Sequence, residues 1–169
     1  GAGLPDPAFA GRPGFCVRPG QESEKVQLHI IARGKIGRSP EAELFDRYVK
    51  RLGWPFRLTE LPESPNKAAL AKVAPPVGAK TVLLDEKGKQ LSSVQFAAQL
   101  EQWRDAGVRE CRFLIGGADG FDDADRAEAD LLIAFGNMTW PHMMARAMLA
   151  EQLWRATSII ANHPYHREG

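Results

Sequence analysis

The sequence predicts an α/β domain with a largely parallel sheet flanked by helices. Three observations carry the prediction. From Val26 onward, short runs rich in aliphatic and β-branched residues alternate with stretches of helical period, the order expected of strand–helix–strand units. Glycine-bearing turns follow several of these runs directly. The 169 residues suit one domain with a sizeable core, and no internal repeat interrupts them.

The first 24 residues stand apart, with five Gly, four Pro and no sustained hydrophobic period. Burial there cannot offset the entropy of ordering, so residues 1–25 are expected to be a disordered extension or an artificial leader. A single domain is expected over residues 26–169. Residues 26–32 read as a strand, followed by the basic turn Arg33-Gly34-Lys35-Ile36-Gly37-Arg38. Ser39, Pro40 and the acids behind them mark a helix start. Leu44, Phe45, Tyr48, Val49 and Leu52 then fall on one helical face. A strand is expected over residues 56–61 and a helix over residues 66–73.

The second half repeats the alternation. Thr81-Val82-Leu83-Leu84 is a buried-type strand ending at Asp85, with a turn at Lys87-Gly88-Lys89. Ser92 and Gln95 form a capping box before a helix with Phe96, Leu100 and Trp103 on one side. Residues 112–115 read as a strand, and Asp122 or Asp123 can cap a short helix reaching about residue 129. A strand over residues 131–135 and a long helix over residues 142–156 complete the pattern.

Composition limits the function classes. Charged residues make up 25% and the formal net charge is +1, so no global basic field announces a nucleic-acid partner. Residues 26–72 are locally positive, with nine Lys/Arg against five Asp/Glu, although most such charges serve as a solvated face. Cys16 and Cys111 form neither a metal spacing nor a disulfide framework, which points to a reducing, cytoplasmic setting. No apolar run approaches a membrane span.

Chemistry is expected beyond the carboxyl ends of the strands, where the loops of an open α/β sheet converge. Three loops qualify: residues 84–89, 116–120 and 136–141. Gly-Gly-x-x-Gly after a strand is a weak signal alone, since a tight turn explains it as well. Neither a phosphate-binding Gly-Lys-Ser/Thr loop nor a dinucleotide fingerprint is present, which disfavours a nucleoside triphosphatase or a dehydrogenase. The C-terminal Asn162-His163-Pro164-Tyr165-His166-Arg167 would ordinarily be a frayed tail. Its Tyr, His and Arg also suit stacking on a base and charge stabilisation. His163 and His166, with His142, are a weaker metal candidate, because no carboxylate partner stands at ligand spacing.

Five motifs occur in one order: Leu84-Asp85-Glu86-Lys87-Gly88-Lys89, Ile115-Gly116-Gly117-Ala118-Asp119-Gly120, Met138-Thr139-Trp140-Pro141-His142, Glu151-Gln152-Leu153-Trp154-Arg155-Ala156 and the terminal Asn162-to-Arg167 run. With them, residues 26–167 resemble the RlmH family of SPOUT-class RNA methyltransferases. The resemblance implies a homodimer whose C-terminal backbone forms a trefoil knot around S-adenosylmethionine. It also implies methylation of N3 of a pseudouridine in 23S ribosomal RNA, on the assembled ribosome. By the same resemblance, Leu84, Gly116, Gly117, Gly120, Gly136, Asn137, Met138, Thr139, Trp140 and Pro141 bind the methyl donor, and no metal is expected. His166 is a candidate base, Arg167 a charge stabiliser, Tyr165 a stacking residue and His142 a second candidate base. Arg33, Lys35 and Arg38 are candidate RNA contacts. Two departures stand out. Ile133-Ala134-Phe135-Gly136 replaces the family's Leu-Ser-x-Ser, and Asp119 stands where many members have Glu. A ribosome-binding factor of the same fold without methyl transfer, or a metal-dependent enzyme using the C-terminal histidines, would lack donor binding.

Overall fold

A computed structural model of the chain describes residues 25–63, 74–117 and 120–162. The expected helix over residues 66–73 and the tail from His163 onward lie outside them, as do Ala118 and Asp119. Among the described residues five strands form one sheet: β1 (Gln27–Arg33), β2 (Phe56–Leu61), β3 (Lys80–Lys89), β4 (Glu110–Ile115) and β5 (Leu131–Ile133). Helices α1 (Pro40–Val49), α2 (Ser93–Asp105), α3 (Asp123–Glu128) and α4 (His142–Asn162) connect or follow them. The strand order is β2-β1-β4-β3-β5, and every pairing is parallel.

A parallel strand needs cover on both faces, and β1 shows it with five consecutive buried residues. Leu28, Ile30, Val82 and Phe113 point to one face, where they pack with Phe45 of α1, Phe96 and Leu100 of α2, and Leu149 and Leu153 of α4. On the opposite face Ile31, Leu83 and Leu114 form a smaller cluster with Leu61, Phe121 and Leu132. His29 and Arg112 are also buried there.

The helix starts follow their sequence signals. Ser39 accepts a hydrogen bond from the Ala42 N–H with Pro40 in the first turn, and Ser92–Gln95 and Asp122–Asp125 close reciprocal capping boxes. Four expectations are corrected. Leu44 lies outside the buried face of α1, which docks through Ala42 and Phe45, and Leu52 falls beyond the helix end. Residues 87–89 belong to β3, which slips register against β5 between Leu84 and Lys89. The slip requires Gly88, because a Cβ there would lie 2.6 Å from the backbone of Ile133 and Leu132. β5 stops at Ile133, two residues early, where the Ala134 N–H already bonds the Lys89 carbonyl. α4 continues to Asn162, since Ile160 remains buried and no helix breaker intervenes.

Candidate functional site

The carboxyl ends of β3, β4 and β5 open into one cavity of about 240 Å³. Three chain segments converge on it. Leu84, Asp85 and Glu86 come from β3, Gly116, Gly117, Gly120 and Phe121 from the loop after β4, and Gly136, Met138, Thr139 and Trp140 from the loop before α4. Eight of the ten residues assigned to donor binding by resemblance therefore line the cavity. Asn137 and Pro141 do not. The Asn137 side-chain carbonyl accepts from Gln90 at 2.7 Å, and the Pro141 carbonyl accepts from Ala145 in the first turn of α4.

Glycine has a local reason at two of these positions. Gly120 and Gly136 adopt φ of +67° and +104°, in the left-handed region, and a Cβ at either would meet nothing within 4 Å. Their backbones thus turn beside open space. The loop of residues 135–140 is tied shut by the Trp140 indole N–H, which donates to the Phe135 carbonyl at 3.0 Å. Its outer residues remain accessible, Met138 being 77% and Trp140 41% exposed.

Charge on the cavity wall comes from residues the sequence reading did not assign a role. Arg126 of α3 donates from Nε to Asp85 Oδ2 at 2.9 Å and from Nη1 to Asp123 Oδ1 at 2.9 Å. The hydrogen bond to Asp85 raises the pKa of the guanidinium, so it stays charged. Asp85 also accepts from the Lys87 N–H at 2.8 Å. Glu86 lies on the same wall.

His142, the first residue of α4, also lines the cavity. Its Nε2 lies 3.8 Å from Glu63 Oε2, and its buried Nδ1 has no hydrogen-bond partner among the described residues. Glu63 was not expected from the sequence. It stands beside the glycine loop, where a Cβ at Gly117 would lie 3.4 Å from its Oε1 and 3.6 Å from Cβ of Arg33. Tyr165, His166 and Arg167 lie outside the described residues, as does the His163 and His166 pair considered for metal. Among the described residues no group of three His, Cys, Asp or Glu side chains is placed to hold a metal ion. None of the described helices is long and apolar enough to cross a membrane.

Residues 26–166 match the family model described as predicted SPOUT methyltransferase. The chain is 66% identical over 144 residues to the ribosomal RNA large subunit methyltransferase H of Rhizorhabdus wittichii, covering 84% of this chain and 99% of that protein. It is 59% identical over 144 residues to the protein of the same name from Zymomonas mobilis, covering 85% and 100%. A crystal structure of a probable methyltransferase from Bordetella pertussis superposes with a TM-score of 0.53 at 13% identity, covering 80% of this chain and 98% of that one, which shows a shared fold. The chain belongs to the SPOUT methyltransferase family, in its ribosomal RNA large subunit methyltransferase H (RlmH) group.

Proposed function

We propose that the chain transfers a methyl group from S-adenosylmethionine to N3 of a pseudouridine in 23S ribosomal RNA, acting as a cytoplasmic homodimer on the assembled ribosome. The observation that supports this best is the cavity at the strand ends, where β3 and two loops deliver glycine backbone, apolar walls and carboxylates to one place. The ribosomal RNA substrate rests on the names of the relatives.

The residues present fit the donor. Leu84, Met138 and Trp140 offer apolar walls for an adenine ring. The glycine backbones at Gly117 and Gly136 permit close approach and hydrogen bonds. Asp85 and Glu86 bring negative charge toward a cationic sulfonium, partly balanced by Arg126. When bound, S-adenosylmethionine supplies a sulfonium methyl group that is electrophilic toward an in-line nucleophile.

The protein then has to hold the base in line and accommodate the N3 proton. Tyr165 stacks on the base, His166 accepts the proton, and Arg167 stabilises charge developing on the flanking carbonyl oxygens. His142 is the second candidate base and stands on the cavity wall, with Glu63 beside it. The trefoil knot implied by the resemblance belongs to the same reading.

Calorimetric titration with S-adenosylmethionine tests it. The expected result is saturable binding at about one donor per subunit, abolished by Gly117→Trp, which fills the cavity wall. Wild-type protein that binds no donor, and leaves assembled ribosomes unmethylated, removes the reading. Sedimentation of the protein as a monomer removes the homodimer.

A further inference from the structure

The most deeply buried cation among the described residues lies just outside the cavity. Arg146, one turn into α4, has a fully buried side chain. Its Nη1 donates to Glu60 Oε2 at 2.5 Å, and its Nη2 donates to the carbonyls of Gly34 at 3.0 Å and Arg33 at 3.3 Å. Glu60, on β2, also accepts the Ile36 N–H at 2.9 Å. The Gly34 N–H donates to the Leu61 carbonyl at 2.6 Å. These bonds tie two elements, α4 and β2, to one short segment, the turn of residues 33–38.

The segment also packs closely at its first glycine. Gly34 has φ of +86°, and a Cβ there would meet Glu63 Cγ at 3.0 Å and Met143 Cε at 3.1 Å. Its charged side chains face outward, with Lys35 and Arg38 exposed and Arg33 half-buried against Gly117. A turn whose interior is clamped and whose rim is cationic is suited to phosphate contacts, which position a nucleic acid before its bases are read.

We propose that Arg146 is a positioning residue that holds the basic turn of residues 33–38 in one conformation for contact with RNA phosphates. The proposal rests on the RNA methyltransferase reading above. Arg146 does this because a planar guanidinium reaches a carboxylate and two carbonyls at once. A lysine ammonium, a single point of charge on a flexible stem, cannot span all three. The turn is thereby fixed to the helix that begins directly after the loop of residues 136–141.

The test compares wild-type protein, Arg146→Lys, the pair Lys35→Ala/Arg38→Ala, and all three substitutions together. Binding to the large ribosomal subunit within assembled ribosomes, S-adenosylmethionine affinity and hydrogen exchange at the Ile36 amide are measured well below the melting temperature. Arg146→Lys is expected to weaken subunit binding about tenfold and accelerate Ile36 exchange, with donor affinity held within about twofold. The combined variant should lose little beyond the turn variant, because both act through the same contact. Glu60→Gln/Arg146→Met removes both buried charges together and serves the same comparison if Arg146→Lys fails to fold. Unchanged subunit binding, additive losses, or donor and subunit affinity falling in parallel overturns the proposal. A wild-type protein that binds subunits without methylating them removes the methyltransferase reading, and these readouts still judge the clamp.

Discussion

The two faces of the sheet differ in what holds them. Under α1, α2 and α4 the face has a broad apolar centre, with Leu28, Ile30, Phe113, Leu149 and Leu153 all at 0% exposure, and the Arg146–Glu60 ion pair stands at its edge. The opposite face has only Ile31, Leu83 and Leu114 as its buried apolar centre, and buries His29 and Arg112 nearby. His29 lies between Glu110 Oε2, 3.0 Å from Nδ1, and Thr59 Oγ1, 2.7 Å from Nε2. The helical face accordingly carries most of its stability through apolar packing, which is indifferent to pH, and keeps its ion pair at the strand ends. The other face satisfies buried polar groups, and its contribution depends on their protonation.

The largest test of that contrast is Leu153→Ala on α4. Loss of a fully buried leucine is expected to lower stability by about 2–5 kcal/mol in denaturant unfolding. S-adenosylmethionine affinity at low denaturant should be unchanged, since Leu153 does not line the cavity. A donor affinity that drops with stability would show that packing and site are not separable. Gly88→Ala comes next, at the edge where both faces meet. Its Cβ would press on the backbone of Ile133 and Leu132 at 2.6 Å, so β5 must move. A destabilisation of about 1–3 kcal/mol is expected, together with weakened donor binding.

The smallest effect is the pH response of the polar face. Burial lowers the His29 pKa, and the hydrogen bond that its Nδ1–H donates to Glu110 opposes this without reversing it. The folded chain therefore binds this proton less readily than the unfolded chain. The stability it contributes is present above the unfolded value of about 6.5, and is lost as pH falls from there through the lower folded pKa. His29→Gln should flatten that part of the stability–pH curve, while Leu153→Ala should shift the whole curve down without changing its slope. An unaltered slope in His29→Gln would assign the pH response to another group.

How much of this was legible in the sequence follows the range of the interactions. Strand β2, the capping box at Ser92 and a cap at Asp122 or Asp123 are local patterns and readable as such, while the reciprocal bond to the Asp125 side chain is seen only in the structure. Leu44 misled because a ten-residue helix leaves several apolar positions near its boundary, and docking chose Ala42 and Phe45. The three loops of the cavity were legible as glycine-bearing strand ends. Asp85 with Arg126, and Arg146 with Glu60, were not. Their partners stand 41 and 86 residues apart, and no periodicity encodes a pairing that only the sheet order creates.

The Trp140 indole closes the loop of residues 135–140 through its N–H and leaves its ring exposed at the cavity. Of the other three tryptophans, Trp54 and Trp103 are half-buried against the core and Trp154 is half-buried beside Tyr48, and none lines that cavity. The molecule thus carries its own optical reporter. A ring stacking on this indole changes the emission of one fluorophore at the mouth, while three others stay constant as an internal reference. Occupancy of the cavity becomes readable in unlabelled protein, on a stopped-flow timescale and without a radioactive methyl group.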